Sequence, residues 1–439
     1  MTRRQPLQLS RSARFAAAIA LGCCLVGPVQ AAETSVSGFG SIGFGQSDKP
    51  YGYQRFISDR GTFKRDSVLG VQLDTRLSDE FSVTLQGRLA APSDRDSGTQ
   101  ASLSWGFVSW RPTNELLLRA GKFRAPLYLN SETSDVGVTF DLARLPAEVY
   151  SQSPTDDFTG ISASRTWSLG NGELVLDGYW GRADTHLRAW LRNGAPGFGP
   201  RGPNFLPIGV ELRGLAATWR RGENTLRLGY TRASVDSHTP LLFNVRYPFI
   251  AIPGLPGTGF YQPVSDPQLG AVPMVSRLSI PLVTAGADVM TMPGIRVVAE
   301  IGRRIVKDTE VGFDTTGAYV ALLRPAGRWT PYLSVAMLRS TGRNLDVYRA
   351  VSRNRVPDFV PGAAAINIAQ IAAADAAPNF DQRSIALGTS YALSPTRKLK
   401  AEWQGVRVGE VSALVDAPPG TDVRRQTLTV LSVSFHVVF

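Results

Sequence analysis

Cysteine and histidine are nearly absent from this 439-residue chain, with two of the first and three of the second. Two cysteines exclude a disulfide scaffold and any cysteine-rich zinc site. The histidines, His186, His238 and His436, stand far apart with no ligand spacing between them, so neither a metal site nor a cofactor is expected. Charge is also sparse, at 19% Asp, Glu, Lys and Arg. No run of 18 apolar residues occurs, which excludes a membrane-crossing helix. The formal net charge is +11, yet the arginines are scattered and form no patch, so no nucleic-acid partner is expected.

What is present begins with a leader. Arg3, Arg4, Arg11 and Arg14 precede a 13-residue apolar run, 15–27, and then the small-x-small triplet Val29-Gln30-Ala31. That is the pattern of an export signal cleaved after Ala31. Residues 1–31 would carry away Cys23 and Cys24 together with four arginines and no acid, leaving +7 on 32–439. Leu21-Gly22-Cys23 only faintly matches a lipidation site, because Ala20 stands where leucine is wanted.

Beyond the leader the chain alternates. Leu69, Val71, Leu73 and Leu77 interleave with Gly70, Gln72, Asp74 and Arg76; Phe81, Val83, Leu85 and Leu89 interleave with Ser82, Thr84, Gln86 and Arg88. A period of two means strands with one apolar and one polar face. Sixteen such segments are expected, near 35–45, 67–77, 81–91, 101–111, 115–123, 158–167, 173–183, 210–220, 224–233, 279–289, 295–305, 315–324, 329–339, 383–393, 399–409 and 425–439. Even-numbered strands are followed by short turns, such as Ser78-Asp79-Glu80 and Met292-Pro293-Gly294; odd-numbered strands are followed by long Gly- and Pro-rich loops. Loops sorted by parity are what an up-and-down membrane barrel requires, with one rim of short turns and one of long loops. The fold class expected is therefore all-β: a transmembrane antiparallel up-and-down β-barrel of about 16 strands. A soluble sandwich has no reason to sort its loops in this way.

Trp110, Trp167, Trp219, Trp329 and Phe81 lie close to short turns, where an interfacial aromatic girdle belongs. At the far end Leu431, Val433, Phe435, Val437 and the final Phe439 share one face. This ending closely resembles the C-terminal signature of Gram-negative outer-membrane barrels. Together with the leader, the strand count and the loop parity it resembles the porin family over all of 32–439. The resemblance implies an outer-membrane channel and the partners of that family: outer-membrane lipid and lipopolysaccharide, the barrel-assembly machinery reading Phe439, Val437 and Phe435, and two further copies in a homotrimer.

In the trimeric porins the third long loop folds inward. The equivalent here is about 124–157, which carries Glu132, Asp135, Asp141 and Glu148 and apolar residues enough to pack against something. Parity puts Arg76, Arg88 and Arg119 on the polar face of strands two, three and five. These resemble the basic wall that porins set across from the acidic loop, and opposed charges would give a transverse field. The same arginines would also neutralise lumen carboxylates such as Asp74. Further inward charges by parity are Arg227, Arg296, Arg304 and Lys400 against Asp177, Glu300 and Glu402.

The function expected is passive diffusion of small hydrophilic solutes, with a weak anion preference. The alternative is a non-transporting barrel, an adhesin or an outer-membrane enzyme, although no Ser–His–acid spacing suggests catalysis. A plugged receptor would need a domain ahead of the first strand, and a channel for apolar substrates would need an apolar lumen; neither is expected. Gly38-Phe39-Gly40-Ser41-Ile42-Gly43 matches a dinucleotide fingerprint in letters only, since no helix follows it. Its glycines suit a close approach of strands. The one helix-like stretch is 362–376, in the seventh long loop.

Overall fold

The computed structural model describes residues 33–153, 155, 157–237, 243–263, 265–310 and 312–439. The leader at 1–31 and His238 lie outside the described residues. The main sheet is a closed antiparallel barrel of sixteen strands, each hydrogen-bonded to its neighbours in chain order. They are β1 (Glu33–Ser47), β2 (Val68–Arg76), β3 (Phe81–Ala90), β4 (Gln100–Thr113), β5 (Leu116–Arg124), β6 (Asp157–Leu169), β7 (Gly172–Leu191) and β8 (Gly202–Arg221), followed by β9 (Asn224–Ser237), β10 (Arg277–Met292), β11 (Ile295–Arg304), β12 (Thr315–Leu323), β13 (Trp329–Ser340), β14 (Phe380–Ser394), β15 (Arg397–Ser412) and β16 (Thr427–Val438).

The alternation that specifies these strands also decides which side faces out. Leu69, Val71, Leu85, Leu89, Leu228, Val335, Leu387 and Val433 are all exposed, and each sits between residues that point inward. An apolar belt of this extent belongs in hydrocarbon, where every backbone group needs an internal partner; closure supplies it. The closing seam joins β1 to β16. There Gly38 and the final residue exchange backbone hydrogen bonds, 2.7 Å from Gly38 N to Phe439 O and 3.0 Å in return. The Phe439 ring lies over Gly38, where a Cβ would come within 2.5 Å of it. This glycine of the false fingerprint is thus a clearance at the seam.

Short and long connections alternate strictly. The tightest turns use glycine in the left-handed region, Gly222 at φ 57 between β8 and β9 and Gly294 at φ 77 between β10 and β11. That backbone suits the twist of a two-residue hairpin. Trp110 stacks on Phe81 at the short-turn rim, and Trp329 packs against Tyr391 at the same level.

Two expectations about the long-loop side need correcting. The alternation fades near 183 and resumes near 210, but β7 and β8 stay paired as far as Leu191 and Gly202. His186, expected in a loop, therefore sits in this strand extension opposite Pro207. The extension leans on other loops, so both its faces are partly covered and the period-two signal is lost. The loop 341–379 contains not one helix but two, α2 (Gly342–Arg353) and α3 (Ala363–Ala376), α2 and α3 being counted after the single turn α1 (Ala147–Tyr150). The long loops interlock over the barrel mouth. Arg188 of β7 binds both Asp96 and Asp416, Arg192 binds Asp375 of α3, and Tyr51, Tyr53, Ile57, Tyr348 and Ala373 pack on the inward Val406, Val408 and Leu428.

Candidate functional site

The loop from β5 to β6, described at 125–153 and 155, runs along the inside of the barrel and is pinned there by side chains from most of its circumference. Its first stretch follows the wall from β9 to β11. Arg227 donates to the Pro126 carbonyl at 2.7 Å, and Glu300 accepts from the Leu129 N–H at 2.7 Å and from the Tyr150 and Tyr319 hydroxyls at 2.6 and 2.7 Å. Its middle crosses to β15 and β16. Gly137 lies against His436, and Lys400 donates to the Leu142 carbonyl at 2.8 Å while capping the Phe140 ring. Its last turn, α1, lies over β11 to β13. Glu148 is fully buried and accepts from Gln382 at 2.9 Å and Ser384 at 2.7 Å.

Glycines on the wall make this approach possible. A Cβ on Gly286 would stand 2.8 Å from the Leu129 side chain, and one on Gly317 only 2.0 Å from the Glu148 carbonyl oxygen. The inner wall here is apolar: Leu212, Leu278, Ile280, Leu282, Val298 and Tyr319 form one core with Leu127, Leu142 and Val149 of the loop. The lumen was expected to lack an apolar wall. It has one, but the loop covers it, so these residues behave as core and not as channel lining.

What stays open to water is the arc from β2 to β7, lined by partly exposed Asp74, Arg119, Ser162, Ser164 and Asp177. Across this arc the loop presents two carboxylates. Arg119 Nη1 is 3.4 Å from Glu132, and Arg88 Nε is 3.3 Å from Asp135. Asp135 is also held by the buried Arg124, which reaches Ser134 at 2.7 Å and Asp157 at 3.1 Å. Burial pushes the Asp135 carboxyl up, but the guanidiniums of Arg124 and Arg88 outweigh it and hold it below the ordinary carboxylate range.

The sequence-derived set therefore divides. Arg88 and Arg119 meet Asp135 and Glu132. Arg76 does not join them: it pairs with Asp79 of the adjoining turn at 2.7 Å and lies exposed at the short-turn rim. Asp141 faces another wall altogether, bound by Lys398 at 2.8 Å, Ser390 at 2.7 Å and Arg296 at 3.4 Å. Glu148 is a buried anchor. Asp74 is satisfied by Gln72 and Thr84 and not by arginine. Arg227, Arg296, Lys400 and Glu300 do point inward, but they hold the loop and do not line an open path; Arg304 likewise donates to the Gln152 carbonyl at 2.9 Å.

Two functional residues escaped the sequence reading. Arg124, at the last position of β5, is the buried hub that holds Asp135, Ser134 and Asp157. Arg144 is the only basic residue in 125–156, and it grips Asp66 of the first long loop through two hydrogen bonds. A lone arginine in an acidic, apolar loop was the available signal. Among the described residues no group of three or more His, Cys, Asp and Glu side chains is placed to hold a metal ion.

No protein-family model matches the chain, and no curated protein does. Solved structures do. The outer membrane channel DcaP of Acinetobacter baumannii superposes with a TM-score of 0.52 at 10% identity, covering 94% of this chain and 100% of that one. An anion-selective porin from Comamonas acidovorans gives 0.49 at 12% identity over 93% and 100% of the two chains. An outer-membrane protein of Vibrio cholerae, OmpT, gives 0.49 at 10% identity over 94% and 99%. At such identities the likeness shows the fold, a porin-like outer-membrane barrel.

Proposed function

We propose that this protein is a porin of the Gram-negative outer membrane, passing small hydrophilic solutes by diffusion along the polar arc between β2 and β7. The observation that carries the reading is the inward loop itself. It fills the apolar side of the lumen and leaves a polar strip in which Arg88 and Arg119 face Asp135 and Glu132. A sixteen-stranded barrel is wide enough to keep an aqueous channel beside such a loop. Charges of opposite sign across a narrow, low-dielectric gap orient dipolar solutes and bias ion passage. With two arginines on the wall and +7 on 32–439, the bias is towards anions, and weak, because each arginine has an acidic partner. The resemblance to porins adds a homotrimer, contact with lipopolysaccharide, and an assembly signal at Phe435, Val437 and Phe439. Swelling of proteoliposomes in isosmotic sugars, dicarboxylates and phosphate tests the transport reading and ranks the solutes. Swelling no faster than in protein-free liposomes would favour a non-transporting barrel.

A further inference from the structure

Between the two arginines of the open strip the wall is aromatic. Along β4 the inward positions are Ser102, opposite Arg88, then Trp105 and Phe107, then Ser109, opposite Arg119. Strict alternation would keep Trp105 and Phe107 on the side of the exposed Leu103, towards lipid. A one-residue bulge prevents it. The register of β3 with β4 shifts between Gln86 and Gly87, so Leu103 pairs with Gly87 on the outward face, Trp105 pairs with Gln86 on the inward face, and Ser104 is left over between them. Bulges re-aim a side chain in this way.

Trp105 is partly exposed, and it is the open end of a chain of rings lying on the inner wall from β4 to β7. Centroids are 6.0 Å apart from Trp105 to Phe107, 6.1 Å to Phe123, 4.5 Å to Phe158 and 5.8 Å to Tyr179. The last four rings are buried, so the indole rests on a fixed base. The Arg119 guanidinium lies 5.3 Å from the Phe107 centroid, a cation–π contact.

The arginines of the strip are loosely held. Arg144 and Arg296 each clasp a carboxylate through two hydrogen bonds, at 2.7 and 2.6 Å and at 2.6 and 2.5 Å. Arg119 makes one long bond to its acid, 3.4 Å to Glu132, and Arg88 Nε, although 3.3 Å from Asp135, is not aligned for one. The Nε of both arginines and the Trp105 indole N–H have no hydrogen-bond partner among the described residues. Donors without an acceptor, set beside a flat ring, match a solute that joins a carboxylate to a planar ring. The guanidinium fork suits the carboxylate, and the ring stacks on the indole. An aliphatic acid would gain only the first contact and a neutral aromatic only the second, while an organic cation would be repelled.

We infer that this strip is a weak subsite selective for small aromatic carboxylates, with Arg88 and Arg119 holding the carboxylate and Trp105 the ring. The inference rests on the channel reading above and names a solute class for it. Binding on one open wall is loose enough to let the solute leave, as conduction requires.

The test uses the full-length protein in a planar bilayer, with sodium benzoate on one side and sodium cyclohexanecarboxylate on the other. Sodium is equal on both sides, so the reversal potential reports the ratio of the two anion permeabilities. The wild type should favour benzoate about fourfold, and Trp105→Leu should lower that ratio about threefold. Trp105→Tyr should keep most of the preference, and Trp110→Leu, on the outward face of the same strand, should keep all of it. Any preference due to size alone is common to every variant. Equal ratios for the wild type and Trp105→Leu, both giving ohmic steps in sodium chloride, overturn the inference and leave the channel reading standing. No ohmic steps in the wild type overturn both. A measurement on the wild type alone covers a Trp105→Leu protein that fails to fold. Benzoate added to a chloride bath should reduce the chloride current reversibly and more than cyclohexanecarboxylate does; equal reductions overturn the assignment.

Discussion

Arg144 and Asp66 join the inward loop to the first long loop through two parallel hydrogen bonds, 2.7 Å from Nε and 2.6 Å from Nη2. Both side chains are almost wholly buried. The pair closes the loop's return path, and most of the polar anchors described above depend on the loop holding that path.

Breaking one partner of this pair should cost more than losing a surface ion pair, because the other charge is left buried. Arg144→Ala should destabilise the loop by about 3–5 kcal/mol and turn a steady open-channel current into a noisy one. Arg144→Ala/Asp66→Asn together should be milder than Arg144→Ala alone. Burial raises the Asp66 carboxyl, but Arg144 overcomes it, and the net shift is downward. A depressed carboxyl keeps its stabilisation above the ordinary carboxylate range and loses it only as pH falls through the depressed value. Current noise in the wild type should therefore not change between pH 7 and pH 5.

Gly317 tests the packing of loop on wall. Gly317→Ala puts a methyl group 2.0 Å from the Glu148 carbonyl oxygen, where backbone must move. The expected result is a displaced α1, a changed conductance and a lower unfolding temperature. Gly87→Ala, where a Cβ meets nothing within 4 Å, should leave all three unchanged. Equal behaviour of the two variants would mean that the loop does not lie on β12.

The outer mouth should respond to acid in the opposite sense to a simple ion-pair lock. Burial pushes the Asp416 carboxyl up to about 6, against Arg188, with Asp96 reinforcing the rise and Arg55 opposing it. A carboxyl that holds its proton more tightly in the packed mouth than in a solvated loop favours packing as pH falls. That gain accrues from about pH 6 down towards the ordinary value of about 4 and is lost as pH rises back through 6. Protease nicking of the long loops should thus be slower at pH 5 than at pH 7, and Asp416→Asn should remove the difference. Faster nicking in acid would contradict this sign.

How far the sequence was legible depends on what each signal encodes. Alternation records which face of a strand is apolar, so sixteen strands, their turns and the inward direction of Arg88, Arg119, Arg227 and Lys400 could be read directly. It does not record depth. Arg76 and Arg88 share an inward face, yet Arg76 ends β2 beside the short turn while Arg88 stands near the far end of β3. Counting residues from the turn would have separated them. The loop's anchors were not readable, because Asp141 with Lys398 and Glu148 with Gln382 are brought together only by closure of the barrel. The strand extension beyond 183 was missed because loops cover both its faces, which erases the period. The helix α2 was missed because its buried face, Leu345, Tyr348 and Val351, is short and set among charges.

The central claim is that solutes pass a polar strip in which Arg88 and Arg119 face the loop. The most direct measurement is the reversal potential of single channels in a planar bilayer under a salt gradient, for the wild type and for Arg88→Ala/Arg119→Ala. Ohmic steps are expected, with a small anion preference in the wild type that shifts towards cations in the double variant, and no shift for Arg76→Ala, whose partner is Asp79 at the rim. No ohmic steps, or a reversal potential that moves with Arg76 and not with Arg88 and Arg119, would contradict the account.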